Sequence, residues 1–117
     1  MNGLNMKRIF FALMLSLIFS SNSFSESSEV LIIDVRTISE WNTGYLKEAK
    51  HLPLNQIENK IKNLEPDLNK DIYVYCRSGN RSGKAKIILE SLGYKNVSNI
   101  GGISEASSKL KIDIIQN

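Results

Sequence analysis

Asp71-Ile72-Tyr73-Val74-Tyr75-Cys76-Arg77-Ser78-Gly79-Asn80-Arg81-Ser82 is the stretch on which the reading of this chain turns. After Asp71, residues 72–75 are β-branched and aromatic, and the segment predicts a buried strand. After Ser82, the segment Lys84-Ala85-Lys86-Ile87-Ile88-Leu89-Glu90-Ser91-Leu92 carries apolar residues at helical spacing. The order is strand, loop, helix, with the chain's one cysteine at the carboxyl end of the strand. In open parallel sheets that edge is where ligands bind. A tight turn after Cys76 directs backbone N–H groups of residues 77–82 toward the sulfur, and the following helix adds its unpaired donors and positive dipole end. Arg77 and Arg81 supply fixed charge, and Gly79 allows a close approach that a side chain would block. These features favour thiolate over thiol and predict a reactive, partly exposed nucleophile with its pKa below the usual value of about 8.5. A cysteine meant only for packing has no need of two arginines, two serines, a glycine and an asparagine before its helix.

Outward from the loop, strands and helices alternate. Residues 30–35 form a nearly continuous apolar run of the kind buried on both faces of a parallel sheet. Thr37-Ile38-Ser39-Glu40 has capping-box spacing, with Thr37 as N-cap of a short helix that runs to about Asn42 and ends at Gly44. His51-Leu52 is a brief strand before Pro53. Asn55-Gln56-Ile57-Glu58 opens a second helix by similar spacing, burying Ile57, Ile61 and Leu64 and stopping before Pro66. The third helix turns Ala85, Ile88, Leu89 and Leu92 to the sheet, with Gly93 as its C′ residue. Residues 97–100 make a further strand, Gly101-Gly102 a turn, and residues 104–110 a weak terminal helix; the tail from 111 to 117 is a strand or unordered. This pattern predicts an α/β fold with a parallel sheet of about four to five short strands and helices on both faces.

At the loop the chain resembles the rhodanese superfamily, whose members carry a nucleophilic cysteine in such a setting. The resemblance extends to Asp34-Val35-Arg36, Glu40-Trp41, Gly44-Tyr45-Leu46, Ala49-Lys50-His51-Leu52-Pro53-Leu54, Gly93-Tyr94 and Gly101-Gly102, covering roughly residues 30–105. In the order and spacing found here these pieces are specific, though each is weak alone. Tyr45 stands where many relatives have histidine, Glu48 replaces a common glycine, and Ser104-Glu105-Ala106 lacks a frequent tryptophan. The chain looks most like the short, exported, single-domain rhodaneses of the phage-shock type. The four residues between Cys76 and Arg81 match the loop length of the sulfurtransferases, whereas related phosphatases and arsenate reductases carry one more.

The resemblance implies transfer of a sulfane sulfur from thiosulfate or a similar anionic donor, through a Cys76 persulfide, to a thiophilic acceptor such as cyanide or a thiol. It implies no cofactor. It implies that Arg77, Ser78, Gly79, Asn80, Arg81 and Ser82 bind the substrate, with the loop amides and Arg81 expected on the bound anion and Arg77 at the rim attracting the donor. A protein acceptor fits the same loop. The alternative is a persulfide-carrying delivery or binding module with little turnover of its own, which predicts an exposed apolar patch around the site.

Elsewhere the signals are sparser. Lys7 and Arg8 precede an apolar run of eleven residues, 9–19, and a serine-rich stretch follows, the three parts of a secretory signal peptide. The run falls short of the roughly 20 residues of a membrane-spanning helix, so no stable membrane anchor is expected. Cleavage after Ser25, with Ser23 the alternative, leaves 117 − 25 = 92 residues, one small domain over 26–117. Its formal charge is (15 − 2) − 12 = +1, and without a basic stripe it gives no case for nucleic-acid binding. Export places the protein in a periplasm or outside the cell, where an unpaired cysteine is a functional thiol or a linkage site. His51 and the Asp34/Arg36 pair are read as structural, and Trp41 packs the core or lines the site's mouth. No metal-ligand cluster, serine triad or nucleotide-binding glycine motif is present in the sequence.

Overall fold

The computed structural model describes residues 29–116, and the predicted signal peptide lies outside the described residues. A four-stranded parallel sheet has the order β3-β1-β4-β5, with β1 Leu31–Asp34, β3 Lys50–His51, β4 Asp71–Cys76 and β5 Asn96–Gly102. The first strand pairs with β4 from Leu31↔Ile72 through Asp34↔Tyr75, so the carboxyl ends of the two central strands finish side by side. The short β2, Tyr45–Leu46, pairs antiparallel with β6, Ile114–Ile115. That pairing resolves the tail as a strand and gives it a place. The brief strand at His51 begins and ends one residue earlier than its sequence suggests.

Period-two alternation along the strands divides the core. Ile33, Val74 and Cys76 face α2 (Ile57–Leu64) and α3 (Asn80–Ser91), packing with Ile57, Ile61, Ala85 and Leu89. Ile32 and Tyr75 face the other way, onto Leu46, Ile100 and Ala106 of α4 (Ile103–Leu110). The sheet therefore has helices on both faces, as the alternating sequence predicts. Cys76 is the last inward residue of its strand on the α2/α3 side, which fixes where its sulfur points.

Thr37 caps the short α1, Ile38–Trp41, through a complete capping box with Glu40. The second predicted box fails. Pro53 instead heads a 3-10 turn, Leu54–Gln56, in which the Gln56 N–H donates to the Pro53 carbonyl at 2.8 Å. Asn55 lies inside that turn and lacks the extended backbone an N-cap needs, so α2 starts at Ile57 with no side-chain cap. Ile57 and Ile61 are buried as predicted, but Leu64, in the last turn, is exposed. A helical stripe records which face is apolar without recording how far a neighbour covers it. Glu48, at the position where the resemblance leads one to expect glycine, adopts φ 73°, in the left-handed region that side chains disfavour.

Candidate active site

The site stands at the carboxyl edge of the sheet, where the segments after β1 and β4 meet. After β1, Asp34 and Arg36 are fully or nearly fully buried. The Arg36 Nε donates to both Asp34 carboxylate oxygens at 3.0 Å, and its Nη2 donates to Asp34 at 2.7 Å and to the Gly44 carbonyl at 2.6 Å. His51 lies with Nε2 2.8 Å from the Arg36 carbonyl, a contact that makes Nε2 the donor. Trp41 stacks on Tyr45 at 4.0 Å and on His51 at 4.9 Å, tying α1 to the sheet edge. Asp34 and Arg36 brace the strand end as expected, His51 contacts the Arg36 carbonyl, and Trp41 is half-buried in this stack.

After β4 the arrangement is different in kind. The Gly79 N–H donates to Cys76 Sγ at 2.9 Å, and the Ser82 hydroxyl lies 3.4 Å from it. Burial acts to raise the thiol's pKa, but the Ser82 hydroxyl and the backbone N–H groups of Ser82, Ser78 and Gly79 outweigh it and hold it below the ordinary thiol value. Cys76 is fully buried, which corrects the expectation of partial exposure: the sulfur is the floor of the loop. The helix also begins four residues before the apolar periodicity does, at Asn80, with Gly79 as N-cap at φ 101°. Asn80, Arg81 and Ser82 are thus its first turn, and the loop proper is only 77–79. Of the six predicted substrate-binding residues, Arg77, Ser78 and Asn80 are exposed, Gly79 and Arg81 are half-buried, and Ser82 is buried.

Arg81 is turned to Glu40. Its two terminal nitrogens donate to the two carboxylate oxygens at 2.7 and 2.9 Å, so two of the donors assigned to an anion are already engaged. This bidentate pair holds the Glu40 carboxyl down to about 2 from its ordinary 4.5. Glu40 therefore serves twice, capping α1 and clamping α3 to it. The Gly101-Gly102 pair, expected as a turn after the strand, instead forms the end of β5, and Asn99 escaped the sequence reading. A Cβ on Gly102 would overlap the Arg77 carbonyl oxygen, so only glycine lets β5 pass this close beneath the loop. Asn99 on β5 donates from Nδ2 to the Gly79 carbonyl at 3.0 Å and accepts from the Ser82 hydroxyl at 2.7 Å.

With this geometry in view, the comparisons with known proteins are specific. The model of the rhodanese-like domain matches residues 21–109. The chain belongs to the rhodanese-like family. It is 36% identical over 100 residues to the thiosulfate sulfurtransferase PspE of Escherichia coli (strain K12), covering 85% of this chain and 93% of that one. It is 34% identical over 82 residues to a sulfurtransferase of Allochromatium vinosum, covering 70% and 75%. A putative sulfur carrier protein, YrkF of Bacillus subtilis (strain 168), is 36% identical over 76 residues, covering 64% of this chain and 40% of that one. Among solved structures, a rhodanese with anions from E. coli superposes with a TM-score of 0.70 at 30% identity, covering 76% of this chain and all of that one. This rhodanese-like chain thus keeps the family's fold and order of motifs.

Beside the sulfur loop runs an open cleft of about 660 Å³ between α1, the 3-10 turn and α3. Val35, Ile38, Pro53, Leu54 and Ile88 give it an apolar lining, and Arg81 borders it. Ile38 on its rim is 58% exposed.

Proposed function

We propose that the protein is an exported sulfurtransferase that takes a sulfane sulfur from thiosulfate onto Cys76 and passes it to a thiophilic acceptor. The observation that carries this reading is the convergence of hydrogen-bond donors on a single buried sulfur whose pKa they lower. The Cys76 thiolate attacks the outer sulfur of thiosulfate, a new S–S bond forms, and the original one breaks with its electron pair leaving on sulfite. Cyanide or a thiolate then attacks the outer sulfur of the persulfide. The Cys76–sulfur bond breaks, thiocyanate or a new persulfide leaves, and the thiolate returns. No net oxidant is needed.

Arg77, exposed on the loop, draws the anionic donor in. The loop N–H groups, with the helix start behind them, stabilise the negative sulfur before and after transfer. Arg81 contributes charge through space, held by Glu40. Steady-state kinetics test the reading: a covalent persulfide predicts parallel double-reciprocal plots when thiosulfate and cyanide are varied. Intersecting plots would mean that both substrates must be bound together and would rule the intermediate out.

A second reading is favoured by the apolar cleft beside the loop, the feature expected of a module that delivers sulfur to a protein acceptor. In that case Cys76 still loads from a small donor, but the loaded protein keeps its sulfur when offered cyanide or a small thiol.

A further inference from the structure

We propose that Asn99 is a positioning residue for the sulfur loop, fixing from the neighbouring strand two of the donors to Cys76 Sγ, the Gly79 N–H and the Ser82 hydroxyl. Sequence and backbone explain how it reaches. The register of β4 and β5 shifts between Val74↔Asn99 and Cys76↔Gly102, so β5 spends one more residue than β4 over this interval. The extra residue makes a bulge, a device that re-aims side chains beside functional sites. The Gly101 N–H donates to Asn99 Oδ1 at 3.0 Å, an Asx-type turn that locks the amide's orientation. Gly101 itself takes φ 90° to allow it.

The amide so held works at both ends. Nδ2 fixes the Gly79 carbonyl at 3.0 Å, and Gly79 is the residue whose N–H is 2.9 Å from the sulfur. Oδ1 accepts from the Ser82 hydroxyl at 2.7 Å, while the sulfur lies 3.4 Å from that same hydroxyl. A hydroxyl has one proton to give. Asn99 therefore competes with the sulfur for the Ser82 proton and at the same time anchors the Gly79 donor. Removing Asn99 has two opposed consequences: the Gly79 donor loosens, which raises the thiol pKa, and the Ser82 proton is freed for the sulfur, which lowers it. The charged groups around the sulfur, Arg77 on the loop, Arg81 with Glu40 and Asp34 with Arg36, are untouched by the change.

The test is the pH dependence of Cys76 alkylation by iodoacetamide in the full-length protein, compared among wild type, Asn99→Ala, Ser82→Ala and the double variant. In the Ser82→Ala background, Asn99→Ala is expected to raise the alkylation midpoint by about one pH unit, the size of one hydrogen bond to a charged group. With Ser82 present the rise is smaller, because the freed hydroxyl turns to the sulfur. Asn99→Asp keeps the two acceptor contacts, loses the donor to Gly79 and adds negative charge, so its midpoint also rises. A common midpoint for Ser82→Ala and the double variant, or an unchanged midpoint in a folded Asn99→Asp protein, overturns the proposal. Thermal unfolding of each variant separates a shifted thiol from a damaged fold. The inference rests on Cys76 being the reacting group, but alkylation needs no sulfur transfer. A wild type that alkylates with a depressed midpoint yet fails to take sulfur from thiosulfate would refute the function and leave the role of Asn99 to be decided by the variants.

Discussion

Two segments leave the same edge of the sheet from adjacent strands, and they treat their polar groups in opposite ways. After β1, a buried carboxylate and a buried guanidinium satisfy each other, and the guanidinium's remaining reach ends on the Gly44 carbonyl. After β4, several donors point at one sulfur atom, and the cation at the rim, Arg77, is exposed. The first segment is closed electrostatically and braces the edge. The second gathers donors on one sulfur and lowers its pKa, which favours negative charge there. Buried polarity by itself is thus no sign of function. What separates the two is whether the donors already have their acceptors. Glu40 links the segments, taking the charge of Arg81 so that the carboxylate does not face the sulfur unpaired.

The contrast is sharpest under exchange of roles. Cys76→Ser should reduce sulfur transfer to background while shifting the thermal midpoint by no more than a few degrees, since the side chain is nearly the same size. Residual activity above background would move the nucleophile elsewhere. Asp34→Ala should do the reverse of a site mutation, costing about 3–5 kcal/mol of stability by leaving a buried guanidinium without its partner. A chemical-denaturation midpoint unchanged from wild type would erase the distinction between the segments.

Much of this division was visible in the sequence. The alternation of apolar strands with helical stripes, the Thr37 capping box and the cysteine before a donor-rich turn are local signals, carried by residues within a few positions of one another. The closing contacts are not local. Glu40 and Arg81 are 41 residues apart, and Asn99 reaches Gly79 across 20. Each depends on which strands become neighbours, and sequence spacing says nothing of that. Asn99-Ile100-Gly101-Gly102 did hold a clue, an Asx-turn residue before paired glycines, but its meaning required the bulge. The apolar periodicity starts α3 late because the helix's first turn, Asn80-Arg81-Ser82, is polar and carries no apolar stripe.

Smaller effects refine the comparison. The Glu40 carboxyl is depressed to about 2 by Arg81, so its contribution to stability is complete above its ordinary 4.5 and is lost as the pH falls through about 2. The stability gap between wild type and Glu40→Gln should therefore be widest at neutral pH and shrink on acidification across that window. A gap independent of pH would mean the pair carries no charge-dependent stability. Glu48→Gly should raise stability by at most about 1 kcal/mol, the relief of left-handed strain being partly offset by glycine's backbone entropy. A loss on denaturant titration would show that the Glu48 side chain contributes more than its backbone costs.

The central claim, that the donors around Cys76 exist to carry a sulfur, is tested most directly by intact-mass spectrometry. The purified protein is weighed before thiosulfate, after it, and again after cyanide, with Cys76→Ser in parallel. The account predicts a gain of about one sulfur atom that needs Cys76 and disappears into thiocyanate. A reduced, freely alkylatable thiol that gains no mass would contradict it.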